Sequence, residues 1–243
     1  MKKIHTIDEG LERLFCAGQR ASVPFLYRKA QQEDRYDVLI LDGEAYPLFS
    51  WRYHPKYHTL MATLPILGAP STVKSLDFSP STNTMAQELF RELDLVEFFL
   101  SGDIVSIMGY GTQQAANFIV RLNNGTIANL ELSVTMPPEA GRESKHTIFT
   151  NNGMVTDMVT DNVIIQQQVH LFNNGKDPVA FTDHDPNLFG LTLEDQNICY
   201  TIYALIDGRE DRQEWKNRLS HLNHLVDGAL ACLETGEKFI ASH

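Results

Sequence analysis

Few of the residues able to do chemistry in this chain stand at a spacing that defines a reaction. Gln87, Glu88, Arg91, Glu92 and Asp94 crowd one segment, MAQELFRELDLVEFFLSGD. Carboxylates beside an arginine there could do acid–base work or bind an anion. Glu88 and Arg91, three apart, are also spaced as on a solvated helix face, and Leu89, Leu93, Val96 and Leu100 form an apolar stripe on the other side. Spacing alone favours the structural role. Asp183, His184 and Asp185 form a second cluster in TDHDPN. Such a group could move a proton without a cofactor, as in an isomerase or hydrolase, while a polar turn before Pro186 uses the same residue types. His54 and His58 stand four apart at a helix start, and His221 and His224 three apart. Neither pair has a third ligand beside it, so no metal site is expected. GYGTQQA, at 109–115, carries two glycines of a dinucleotide loop. The segment after it reads as a strand, not as the helix whose N-terminus would receive a pyrophosphate. No P-loop, GxSxG or CxxC motif occurs.

The 243 residues carry a formal charge of −11. A surface of that sign disfavours nucleic acid and anionic membranes as partners. Hydrophobic residues make up 43% and charged residues 21%, enough apolar material for a sizeable core. Cys16, Cys199 and Cys232 are far apart and odd in number, which suggests neither a disulfide framework nor a zinc knuckle. The start, MKKIHTIDEG, has no apolar h-region, and no apolar run approaches the ~20 residues that span a bilayer. A soluble, cytoplasmic protein is expected.

The elements that must position these residues emerge from periodicity and turn chemistry. Residues 6–33 read as helical with a break at Val23-Pro24. YDVLIL (36–41), closed by Asp42-Gly43, and PLFSWRY (47–53) read as strands. HPKYHTLMATLPILG reads as a helix with Pro55 in its first turn, STVKSLDFS as a strand, and residues 85–103 as a helix ending at Gly102. From 103 to about 182, strand candidates separated by NNG tripeptides suggest an antiparallel meander with type I′ turns. Two helices ending at Gly208 and Gly236 close the chain. The pattern predicts an α+β fold: a large, mostly antiparallel sheet with helices packed on one face.

The order of these motifs resembles the C-terminal domain of Gfo/Idh/MocA oxidoreductases over roughly residues 47–240. FSWRYHPKYHTLMATLPILGAPSTVKSL looks like its opening strand, helix and Gly-x-Pro turn, through Arg52, Tyr53, Pro55, Gly68 and Pro70. LDLVEFFLSGDIVSIMGYG is similar to its helix and following strand. FIVRLNNGTIANLELSVTMP and HTIFTNNGMVTDM resemble its strand pairs, and ALIDG with LSHLNHLVDGALACLETGEKF its last helices. The resemblance implies residues 47–243 as a substrate and oligomerisation domain. Residues 1–46 are then a helical segment and short strand, too few for a Rossmann domain. Many members carry Asp-x-Gly-x-His, with an Asp three residues after the histidine. Counted back from Asp94, these positions fall on Gln87, Leu89 and Arg91. An arginine cannot act as a general base at neutral pH, so no catalytic residue is expected at the positions of Gln87 and Arg91.

The expectation is therefore a stand-alone pseudoenzyme that acts as a binding or assembly module. It would form a homodimer through the open sheet face or pair with a true oxidoreductase subunit, and bind no NAD(P) alone. A retained pocket for a sugar-like ligand would draw on Arg52, His54, Gln87 and Arg91. The alternative is a subunit or fragment of an NAD(P)-dependent sugar or polyol oxidoreductase whose Rossmann domain is supplied elsewhere.

Overall fold

Capping residues, left-handed turns and period-two burial set the element boundaries. The computed structural model describes residues 5–19, 23–31, 33–158, 168–174, 179–182, 188 and 190–241. In chain order the elements are α1 (Ile7–Ala17), β1 (Phe25–Arg28), β2 (Asp37–Leu41), β3 (Glu44–Leu48), a 3-10 turn (Ser50–Tyr53), α2 (Pro55–Leu67), β4 (Pro70–Pro80) and α3 (Met85–Leu100). Next come β5 (Ile104–Gly111), β6 (Ala115–Leu122), β7 (Ile127–Met136), β8 (Glu143–Thr150), β9 (Gly153–Thr156), β10 (Gln168–Asn173) and β11 (Val179–Thr182). The last are α4 (Leu193–Asp207), α5 (Arg212–Thr235) and β12 (Phe239–Ile240). They form two compact units, Met1–His58 with His184–Ser220, and Thr59–Asp183 with His221–His243.

In the first unit, β1, β2 and β3 make an antiparallel meander. Leu41 pairs with Glu44, leaving Asp42 and Gly43 as a two-residue loop with φ of 55° and 79°. Both positive angles fit a type I′ turn, whose twist matches the flanking strands. The helical reading of 6–33 is corrected: α1 stops at Ala17. After Pro24, the β-forming Phe25 and Tyr27 pair with Leu41 and Leu39 of β2. The strand expected at 47–53 ends at Leu48, and Ser50–Tyr53 coils into the 3-10 turn. Phe49 is fully buried, its ring centroid 4.8 Å from that of Trp215. α4 begins where Thr192 Oγ1 accepts from the Asp195 N–H and stops at Gly208, with φ 75°; its apolar face of Ile198, Ile202 and Leu205 is buried.

The second unit is built on a nine-stranded sheet, counted among the described residues, in the order β11-β10-β9-β8-β4-β7-β6-β5-β12. The expected meander is interrupted: β4 lies between β7 and β8, parallel to β7 and antiparallel to β8. The remaining strand pairs of this sheet are antiparallel. One face carries Val73, Phe118, Val120, Leu130, Ile148 and Val155, all buried, beneath α3 and the end of α5. The NNG segments at 123–125 and 151–153 do link β6 to β7 and β8 to β9, but not as type I′ turns. Only the glycines have positive φ, 85° at Gly125 and 154° at Gly153. Asn124 instead folds its side chain inward, Oδ1 accepting from the Thr126 N–H at 3.0 Å, an Asx turn.

α3 overturns the solvated-face expectation. Thirteen of its sixteen residues are buried, Glu88, Arg91, Glu92, Asp94 and Glu97 among them. A capping box starts the helix: Thr84 Oγ1 accepts from the Gln87 N–H, and Gln87 Oε1 accepts from the Thr84 N–H at 2.8 Å. It ends one residue before the expected glycine, on Ser101 in the left-handed conformation, φ 50°. No helix among the described residues is long and apolar enough to cross a membrane.

Candidate functional site

β4 alternates across the sheet plane, which brings Ser75, Asp77 and Ser79 to the helix-covered face, all fully buried. Leu76 and Phe78 take the other face, with Phe78 38% exposed. β8 sets His146 directly opposite Ser75. α3 presents Glu88, Arg91 and Glu92 to this polar patch, one helical turn containing both positive and negative groups. The result is a buried ionic cluster where an apolar core would be expected.

Arg91 is its centre. The guanidinium pairs with Asp77 Oδ2, donates from Nη2 to Glu92 Oε1 at 2.9 Å, and lies 3.6 Å from Glu88 Oε2. Glu92 Oε2 accepts from Ser75 Oγ at 2.5 Å and lies 3.0 Å from His146 Nε2. Asp77 Oδ1 accepts from Ser79 Oγ at 2.9 Å. Glu88 Oε1 accepts from Asn83 Nδ2 at 2.7 Å and from Arg142 Nη2 at 2.6 Å. The backbone N–H of His146 donates to Asp157, and the His146 ring meets Phe99 edge-on at 5.4 Å. Burial works against ionisation of Glu92, but the fields of His146 and Arg91 and the hydrogen bonds from His146 and Ser75 outweigh it. They hold its carboxyl well below the usual carboxylate range. A carboxylate so held is a poor general acid at neutral pH.

The sequence-predicted residues fall in different places. Gln87 closes the capping box and Arg91 is enclosed by carboxylates, both in the second unit. Arg52 and His54 belong to the first unit. The Arg52 guanidinium lies over the Phe49 ring, 5.4 Å from its centroid, and His54 Nδ1 accepts from the Lys56 N–H at 3.2 Å. Asp183, His184 and Asp185 lie outside the described residues. Among the described residues no group of three His, Cys, Asp or Glu side chains is arranged to hold a metal. GYGTQQA is the β5–β6 hairpin, flanked by strands on both sides. Two groupings went unseen in the sequence. One is the Ser75–Asp77–Ser79 row with its partners from α3 and β8. The other is Tyr53, whose hydroxyl donates to Glu210 Oε1 at 2.6 Å. Burial and that carboxylate push its phenol above the usual range.

Known structures share this architecture. No protein-family model matches the sequence, and no curated protein matches it. Among solved structures, an NAD binding oxidoreductase from Klebsiella pneumoniae is 11% identical with a TM-score of 0.63, over 80% of this chain and 66% of that one. A myo-inositol dehydrogenase from Corynebacterium glutamicum is 17% identical with a TM-score of 0.56, over 80% and 64%. An oxidoreductase from Agrobacterium radiobacter, solved with NAD+, L-tartaric acid and magnesium, is 12% identical with a TM-score of 0.59, over 79% and 63%. The fold is thus the α+β architecture found in Gfo/Idh/MocA-type oxidoreductases. The matched region spans less than two thirds of the length of these neighbours.

Proposed function

We propose that this chain is a non-catalytic relative of the substrate-binding and oligomerisation domain of NAD(P)-dependent sugar oxidoreductases, acting as a binding or assembly module. One observation carries this reading. The position that the resemblance aligns with the proton-transfer histidine is Arg91, 5% exposed and enclosed by Asp77, Glu88 and Glu92. A guanidinium does not release its proton near neutral pH. This one also has its charge answered from inside the fold, which argues against its use on an anionic ligand. The chain alone would bind no NAD(P). Calorimetric titration with NAD+ and NADP+ tests this, with no binding heat expected. Saturable binding would favour an oxidoreductase subunit instead.

The assembly half of the proposal is supported by the sheet face away from the helices. Met108, Tyr110, Ile119, Ile127 and Phe149 stand on it, 40–86% exposed. Nine strands of two to eleven residues, at about 3.3 Å per residue and about 4.8 Å apart, offer roughly 1,000 Å². That matches the roughly 800 Å² each partner buries in a standard interface. The apolar side chains share this face with exposed Asn117, Arg121, Asn129 and Glu131, a mixed composition of the kind non-obligate interfaces have, and a second copy of this chain is the proposed partner.

A further inference from the structure

The buried cluster has one member at the surface. The Arg142 side chain is 34% exposed, whereas those of Asp77, Glu88, Arg91, Glu92 and His146 are 6% exposed or less. Arg142 ends the β7–β8 connection, where residues 137–139, 141 and 142 are exposed. A turn bond from the Ala140 N–H to the Pro137 carbonyl, 2.9 Å, braces that connection, but exposed backbone of this kind opens readily. The stronger hold comes from Arg142 itself. Its Nη2 donates to Glu88 Oε1 at 2.6 Å and its Nε to Ser79 Oγ at 3.1 Å. Asn83, which donates to the same Glu88 oxygen at 2.7 Å, directly precedes the Thr84 cap of α3. The guanidinium therefore bridges β4 and the first turn of α3 from a loop that comes after β7. Glu88 is fully buried, and a buried carboxylate that loses a charge-assisted partner is driven toward water.

We propose that residues 137–142 are a strap latched by Arg142 onto the first turn of α3. Strap and residues 83–91 open together, uncovering the ionic cluster to solvent without global unfolding. Arg142 is a positioning residue in this device: it acts through Glu88, which in turn lies beside Arg91.

Native-state hydrogen exchange on the full chain, in a series of low denaturant concentrations, tests the latch. In the wild type, amides of 139–144 and 83–91 are expected to share one opening free energy. That energy should be smaller than for β5–β7 and should fall with denaturant along a shallower slope than theirs, because less surface is exposed than in global unfolding. Arg142→Ala should speed exchange in both segments by roughly tenfold or more, the scale of a lost charge-assisted pair. Ser79→Ala, which removes one anchor of Arg142 and also the hydrogen bond from Ser79 Oγ to Asp77 Oδ1 but leaves the Arg142–Glu88 pair in place, should speed the same two segments by less than Arg142→Ala. Arg142→Ala accelerating the strap alone would overturn the proposal. So would wild-type exchange of 83–91 that occurs only together with β5–β7. If Arg142→Ala does not fold, the wild-type series and Ser79→Ala decide the question.

Discussion

Replacing Arg91 by methionine should expose how much of the fold rests on the ionic cluster. Methionine keeps an unbranched apolar stem as far as the arginine Nε position but removes the guanidinium charge that Asp77, Glu88 and Glu92 share. Those carboxylates are 0% exposed, so water cannot take over. Removing one partner of a buried pair in this way costs about 3–5 kcal/mol. An exposed pair at the same i, i+3 spacing is worth only about 0–1 kcal/mol. Urea unfolding at pH 7, followed by circular dichroism, separates these two cases. Combining Arg91→Met with Asp77→Asn should recover part of the loss, because one stranded charge is then absent. The double mutant should be less destabilised than the sum of the singles by about 0.5–3 kcal/mol. Acidification should also narrow the gap between Arg91→Met and wild type, since protonating a stranded carboxylate relieves its burial. A loss below about 1 kcal/mol, additive with Asp77→Asn, would refute the reasoning, because it is what a solvated pair gives.

Protonation and burial lead to two more expected outcomes. The Glu92 carboxyl is depressed in the folded chain relative to its ordinary value of 4.5. Its contribution is therefore fully present above about pH 4.5 and is lost as pH falls toward the folded value. Glu92→Gln should flatten the acid limb of the stability–pH curve measured by thermal unfolding; an unchanged limb would contradict the assignment. Among the thiols, Cys16 is exposed, whereas Cys199 and Cys232 are buried. Burial pushes the Cys199 thiol up to about 12. A colorimetric thiol reagent at pH 8 should modify one cysteine rapidly in the native chain and the other two only on unfolding.

The outline of the fold was legible in the sequence where local chemistry decides it. The apolar stripe of Leu89, Leu93, Val96 and Leu100 marks α3, and Gly208 and Gly236 mark the ends of α4 and α5. The turn type was legible at the wrong place: Asp42-Gly43 adopts the paired positive angles, while Asn124 bends through its own side chain. The ionic cluster was hidden for a physical reason. Glu88, Arg91 and Glu92 are spaced like surface charges, and their partners arrive from two strands, Asp77 from β4 just before the helix and His146 from β8, 54 residues beyond Glu92. One local sign existed in SLDFS. Its apolar Leu76 and Phe78 suggest an inward pair, yet β4 turns Ser75, Asp77 and Ser79 inward because the charges of α3 need partners there. The insertion of β4 between β7 and β8 is a long-range pairing that no turn signal marks.

Self-association through the open sheet face is the most direct test of the assembly role. Multi-angle light scattering of wild type and Ile119→Arg, a site 55% exposed and directly opposite Met108 on that face, should be recorded across micromolar concentrations. The expected result is a dimer for wild type and a folded monomer for Ile119→Arg, with unchanged circular dichroism. A wild-type chain that stays a monodisperse monomer throughout that range would contradict the proposed role.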